Sequence, residues 1–303
     1  MHRLSFVALA AIIVALAFPI QARGMNTRTV RADTVNWKAV DAAMGRAGTM
    51  QPGDVYKYGL PRSDLTVHVG DVTLKPALAL GGWVAFRASG NRAMAMGDIV
   101  LLESEIGPVM AALQSAGVQQ TAVHNHLLNE TPRIMYMHIE ADGDPVVIAR
   151  AIRAALALTR LPAPLPAGTP PSIGFDTAAF ARRLGYHGKA NGGVYQVGVA
   201  RQDMVHADGM EVPPSMGVAT SINVQAATAG KVAATGDFVL AASEVNPVIK
   251  MLREHGITVT ALHSHMLTEE PRLLFMHFWA NDDAGKVADG LHAALAVMKV
   301  KAP

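Results

Sequence analysis

Two short stretches, His124-Asn125-His126 and His263-Ser264-His265, are where residue type and spacing in this sequence first point to chemistry. Side chains alternate along a strand, so histidines one residue apart point to the same face. Each pair is followed by a third histidine, His138 and His277. Residues 118–127 and 133–140 read as strands joined by a polar turn at 129–132. With that turn, positions whose numbers sum to about 262 face one another, which sets His138 opposite His124. Directly opposed Cβ atoms are about 5 Å apart, so three imidazoles converge on one face. The second triplet, His263, His265 and His277, follows the same logic. Three neutral imidazoles suit Zn, Fe, Mn, Ni or Cu as a divalent transition metal and leave a position open for water or substrate. The candidate fourth ligands are Glu130 and Glu269 in the turns, with Glu105 and Glu244 at the preceding helix starts. Arg133 and Arg272 beside the turns either pair with those glutamates or act as an anion clamp. The plainer alternative is that these histidines are only polar positions lining an exposed sheet face.

The triplets recur because most of the chain is written twice. A shift of 139 positions (263 − 124) also superposes Tyr56 on Tyr195, Arg62 on Arg201 and Asp64 on Asp203. It carries Gly97-Asp98 onto Gly236-Asp237, Glu105 onto Glu244, and Pro132-Arg133 onto Pro271-Arg272. Without a gap, about 30 of the 89 positions in 53–141 match those in 192–280, which predicts two structurally equivalent halves. The expected organisation is a signal peptide over 1–24, a first repeat over 25–160, a Pro-rich linker over 161–173 and a second repeat over 174–303.

Within each half, the elements that must position the histidines read as helix, several strands, then strand–helix–strand–strand–helix. Ser104 is expected to cap a helix running to Ser115, with Gly117 ending it. Residues 145–158 have helical periodicity, and Gly97-Asp98 and Gly236-Asp237 read as turns before short strands. The fold class is α+β, a tandem duplication of an antiparallel-sheet-plus-helices unit.

Composition narrows the function. Of 303 residues, 50% are hydrophobic and 17% charged, which excludes a disordered chain. Lys and Arg number 26 against 24 Asp and Glu, too even a balance for a nucleic-acid partner. Cysteine is absent, which removes disulfides, thiolate metal sites and Cys nucleophiles together. Neither a Walker loop nor a dinucleotide fingerprint is present, so no nucleotide cofactor is expected. Met135 and Met137, beside His138, alternate onto the opposite face and read as core rather than as a copper site. His2-Arg3, the apolar run from Leu4 to Phe18 and Ala22-Arg23-Gly24 make an export signal too short to span a bilayer. The mature chain is therefore expected in the periplasm or outside the cell, without stable membrane insertion.

Pro61-Arg62-Ser63-Asp64, Met96-Gly97-Asp98, the stretch from Thr121 to Leu128 and Pro132-Arg133 resemble the LppY/LpqO family of exported bacterial proteins. Thr235 to Leu240, Glu244 to Val248, and Ala261 through Trp279 carry the same resemblance in the second half. It implies an exported, duplicated domain and supplies no activity or site residues. Three functions stay open: a metal-binding protein with one His-rich site per repeat, a hydrolytic or oxidative metal-dependent enzyme, and a non-metal module for a small-molecule or envelope ligand.

Overall fold

Helix boundaries in this chain follow from its capping residues. Asp144 accepts from the backbone N–H groups of Val146 and Val147, Pro145 occupies the first turn, and Ile148, Ile152 and Leu156 repeat on one buried face. Asp176 and Asp283 cap helices in the second repeat in the same way. The computed structural model describes residues 35–163 and 171–303. The expected signal peptide and residues 164–170 of the linker lie outside the described residues.

In the first repeat the elements run α1 (Trp37–Met44), β1 (Thr49–Gln51), β2 (Val55–Pro61), β3 (His68–Val69), β4 (Val72–Thr73), α2 (Pro76–Ala79) and β5 (Gly81–Ser89). They continue with β6 (Arg92–Leu102), α3 (Glu103–Ser115), β7 (Gln119–His124), β8 (Glu130–Thr131), β9 (Ile134–Gly143) and α4 (Pro145–Leu156). The second repeat opens with α5 (Thr177–Leu184), β10 (Lys189–Asn191), β11 (Val194–Ala200), β12 (His206–Ala207), β13 (Met210–Glu211) and β14 (Ala219–Ala226). It closes with β15 (Val232–Ala241), α6 (Val245–Glu254), β16 (Thr258–His263), β17 (Leu273–Asp282) and α7 (Ala284–Leu295).

Each repeat forms a six-stranded antiparallel sheet, in the order β1-β2-β5-β6-β9-β7 and, equivalently, β10-β11-β14-β15-β17-β16. The α+β duplication is thus present strand for strand. Helices cover one face of each sheet. Val84, Phe86, Ile99, Leu101, Met137 and Ile139 pack there with Val109 and Leu113 of α3 and Ile148 and Ile152 of α4. Phe238, Leu240, Met276 and Phe278 do the same against Val248, Leu252 and Leu291. The other faces turn toward the partner repeat. Met94 and Met96 meet Val205, Val212 and Met216, while Val67, Leu74 and Leu78 meet Val194 and Ala233. Each repeat therefore lends the connection after its second strand to cover the other repeat's sheet.

Three boundaries differ from expectation. Strand β7 stops at His124, because residues 125–129 leave the sheet and Glu130–Thr131 pair with His68–Val69 instead. Ser104 lies inside α3 rather than capping it; the Glu105 carboxylate accepts the Leu102 N–H at 2.9 Å and takes that role. Gly97-Asp98 and Gly236-Asp237 are mid-strand, not turns. The glycines are needed there for close approach, since a Cβ on Gly236 would overlap the Ser221 carbonyl and one on Gly97 would stand 2.8 Å from that of Trp83.

Candidate metal centre

Register decides which side chains meet. His124 pairs with Tyr136 and Ala122 with His138, two residues tighter than the expected turn would give. Tyr136, not His138, is therefore opposite His124. An even slip preserves the face, so His138 still points with His124 toward the second repeat. In each repeat one row of directly opposed residues crosses four strands: Gly59, Trp83, Asp98 and His138 in the first, Gly198, Ser221, Asp237 and His277 in the second. The bulges at Thr121 and Thr260 are the second device. Each turns its hydroxyl across the seam: Thr121 donates to the His265 carbonyl at 2.6 Å and Thr260 to the His126 carbonyl at 2.5 Å. His126 and His265, which lie beyond their strands, are thereby fixed by the opposite repeat.

The six imidazoles form one shared cluster instead of the expected site in each repeat. His124 stacks on His263 with centroids 3.6 Å apart and His126 on His277 at 3.8 Å, while His138 lies tilted against His265 at 3.7 Å. Equivalent residues exchange places in these pairs, as a pseudo-two-fold axis between His124 and His263 requires. Potential ligand atoms lie within 4.8 Å of one another in three groups: His124, His126 and His277; His124, His138 and His263; and Asp237, His263 and His277. Every histidine-only group mixes the repeats.

Proton positions follow from partners. His277 Nδ1 faces the Gly236 carbonyl at 2.9 Å, and His263 Nδ1 faces the Ser264 carbonyl at 2.8 Å. Carbonyls only accept, so both protons sit on Nδ1 and each Nε2 is a bare lone pair. Those two Nε2 atoms are 3.0 Å apart, with His124 Nε2 at 3.2 Å from that of His277. Two facing lone pairs repel unless a cation binds both. Two nitrogens on a tetrahedral Zn²⁺, at about 2.0–2.1 Å each, are about 3.3 Å apart, close to what is seen here. Asp98 Oδ1, Asp237 Oδ1, His124 Nδ1, His126 Nε2, His265 Nδ1 and both ring nitrogens of His138 are buried without a hydrogen-bond partner. Such a donor set fits a divalent transition metal.

Burial also fixes the charge states. It pushes His265 and His277 down to about 3, with the neighbouring His263 adding to the effect. His124, His126, His138 and His263 are likewise held down, first by burial. All six rings are thus neutral, as ligands must be. Asp98 is pushed up to about 8 by burial, against the pull of Lys57, and Asp237 is pushed well up by burial and by Asp98. A bound cation would reverse that and ionise both.

The expected carboxylate ligands are elsewhere. Glu105 is bound by the Arg62 guanidinium at 2.7 Å and Glu244 by Arg201 at 2.6 Å, each inside a buried ion pair that also engages Asp64 or Asp203. Glu130 and Glu269 accept the backbone N–H groups of Ile134 and Leu273 at the starts of β9 and β17. Arg133 is exposed beside Glu103, and Arg272 pairs with Glu269, so neither clamps anything at the histidines. The carboxyls that do approach the rings are Asp98, 3.5 Å from His126 Nε2, and Asp237, 3.9 Å from His277 Nδ1. Sequence reasoning missed both, although the repeated Gly-Asp at the 139-residue shift marks them. Tyr136, whose ring stacks on His126, was also missed.

A cavity of about 930 Å³ reaches the cluster, with His126, His138, His265, His277, Asp98 and Asp237 at its inner end. Arg46, Lys57 and Lys189 bring positive charge to its walls. The Lys57 ammonium donates to the Ser215 carbonyl at 3.0 Å, sits 4.0 Å from the Trp83 ring centroid and is pushed down to about 8 by burial.

A duplicated seam with a buried histidine cluster is the class that fold and site define. The family described as Domain of Unknown Function (DUF1259) matches residues 38–158 and again 178–297, and the chain belongs to it. No curated protein matches the sequence. Among solved structures, the trimeric bacterial microcompartment shell protein PduB aligns at 14% identity over 81% of this chain and 87% of that one, with a TM-score of 0.21. EtuB from Clostridium kluyveri aligns at 10% over 82% and 88%, with a TM-score of 0.19. At such scores neither likeness carries an argument about this chain. Among the described residues no helix is long and apolar enough to cross a membrane.

Proposed function

We propose that this protein binds a divalent transition metal at the seam between its repeats, with His124, His126, His138, His263, His265 and His277 as the ligand pool and Asp98 and Asp237 as carboxylate partners. The observation that supports this best is the pair of bare Nε2 atoms of His263 and His277 held 3.0 Å apart. The leader over 1–24 and the resemblance to LppY/LpqO proteins extend the reading to an exported protein that meets its metal in the periplasm or outside the cell. Elemental analysis of protein purified from the periplasm tests it. Wild type should carry metal, the double variant His124→Ala/His277→Ala should carry none, because those two residues between them enter all three groups, and His124→Ala alone, which touches two of them, should lose more than half. Unchanged metal content in the double variant would sink the proposal and leave the histidines as the lining of a polar groove.

A second reading, a metal-dependent enzyme, draws support from the cavity. The cluster is reached from outside by a space large enough for a small molecule, so a bound metal could present an open position to a substrate.

A further inference from the structure

Glycine ends both rows of opposed residues that lead to the histidines. Gly59 and Gly198 occupy equivalent positions in β2 and β11, and a Cβ added to either would meet nothing within 4 Å. Neither has the positive φ that would demand glycine. Glycine inside a strand is destabilising by roughly 0.5–1 kcal/mol relative to alanine, and it often marks where a ligand approaches the backbone closely. Packing and backbone conformation thus explain neither glycine, yet both line the cavity.

Two residues back, on the same faces, the repeats differ. The first places Lys57 there and the second Gln196. Opposite the glycines stand Trp83 in one wall and Ser221 in the other. The first wall sets its lysine against an aromatic ring, while the second has Gln196 and Ser221 there and carries its lysine, Lys189, on the next strand opposite Gln196; the histidines and aspartates at the inner end are the same in both repeats. Away from those aspartates no carboxylate lines the cavity among the described residues. A half-buried ammonium whose hydrogen-bond acceptor is a single carbonyl keeps donors for an anion.

We propose that the cavity is a binding site for a small oxyanion, with its anionic group on the Lys57 ammonium and the body of the molecule over the two glycines, where it reaches the histidine centre. The reach to a metal rests on the function proposed above; the contact with Lys57 does not.

Calorimetric titration with inorganic phosphate, on metal-loaded and on chelator-treated protein, tests this. Metal-loaded wild type should bind phosphate. Lys57→Gln, which copies the residue of the second repeat and so suits the fold, should weaken binding about ten- to hundredfold, the loss of a charge-assisted hydrogen bond, with metal content unchanged. Gly59→Ala, whose Cβ meets no protein atom within 4 Å, should weaken binding at least as much by filling the space, again with metal retained. Affinities of both variants within twofold of wild type, or no phosphate binding by wild type, would overturn the proposal. If elemental analysis finds no metal while chelator-treated protein still binds phosphate in a Lys57-dependent way, the metal reading fails and the anion site stands.

Discussion

Replacing His124 by Leu separates the stability of the bare fold from the stability conferred by metal. His124 Nδ1 is buried and unpartnered, and its Nε2 has one partner, the Nε2 lone pair of His277 at 3.2 Å. A buried polar group without a full partner costs about 1–3 kcal/mol, so His124→Leu in EDTA should be at least as stable as wild type. Metal reverses the order. A ligand at one hundred times its Kd stabilises the folded state by about 2.7 kcal/mol. The unit from Asp33 to Pro303 has about 270 residues, and at about 2.1 cal/mol/K per residue its unfolding entropy is about 0.57 kcal/mol/K. Zinc should therefore raise the wild-type Tm by about 5 °C and that of His124→Leu by less than about 1 °C. Calorimetric melts in EDTA and in excess zinc read both shifts. An equal shift in the two proteins, or none in wild type, would refute the reasoning.

Thr121→Val strips a hydroxyl from the buried His265 carbonyl across the seam and should cost about 1–3 kcal/mol in urea unfolding; Thr260→Val, whose bond to the His126 carbonyl is half-buried, should cost about 0.5–1.5 kcal/mol. Glu105→Gln should destabilise by about 1–3 kcal/mol, because the buried Arg62 guanidinium keeps Asp64 but loses the second of its two carboxylate partners, while metal content per folded chain stays unchanged. Metal-free protein should be most stable near pH 6.5 by urea midpoint. Below that, imidazoles held at about 3 in the fold, such as His265 and His277, take up protons on unfolding, so stability falls with acid. Above it, Asp98 and Glu140, raised to about 8 and about 7, are protonated in the fold but ionised when unfolded, so stability falls toward alkali. A steady rise from about pH 5 to 8 would contradict both shifts.

The parts of this fold legible in the sequence are those governed by local rules and by the duplication. Helix α4 is written in Asp144, Pro145 and the spacing of Ile148 and Ile152, and the equivalence of the two sheets is written in the 139-residue shift. The common face of His124 and His138 survives an error in turn length because the side-chain period is two. What stayed hidden depends on contacts far apart in the chain. Nothing near Asp98 or Asp237 announces that each will lie beside a histidine strand, since short strands and turns use the same Gly-Asp pair. Glu105 and Glu244 look like ligands until Arg62 and Arg201, more than forty residues earlier, are seen to hold them. That the triplets merge into one cluster follows from how two sheet faces meet, which no repeat encodes alone.

A seam that draws donors from both repeats ties the binding site to covalent linkage. Two separate copies of one repeat could build a comparable seam only above the dissociation constant of their dimer, and dilution in an open compartment would empty it. Tethering replaces that encounter with an effective concentration of about millimolar, independent of how much protein is present. It also frees the halves from being identical: a homodimer would carry one residue type at both equivalent positions, whereas the fused chain sets Lys57 against Gln196 and gives a symmetric centre an entrance with two distinct sides.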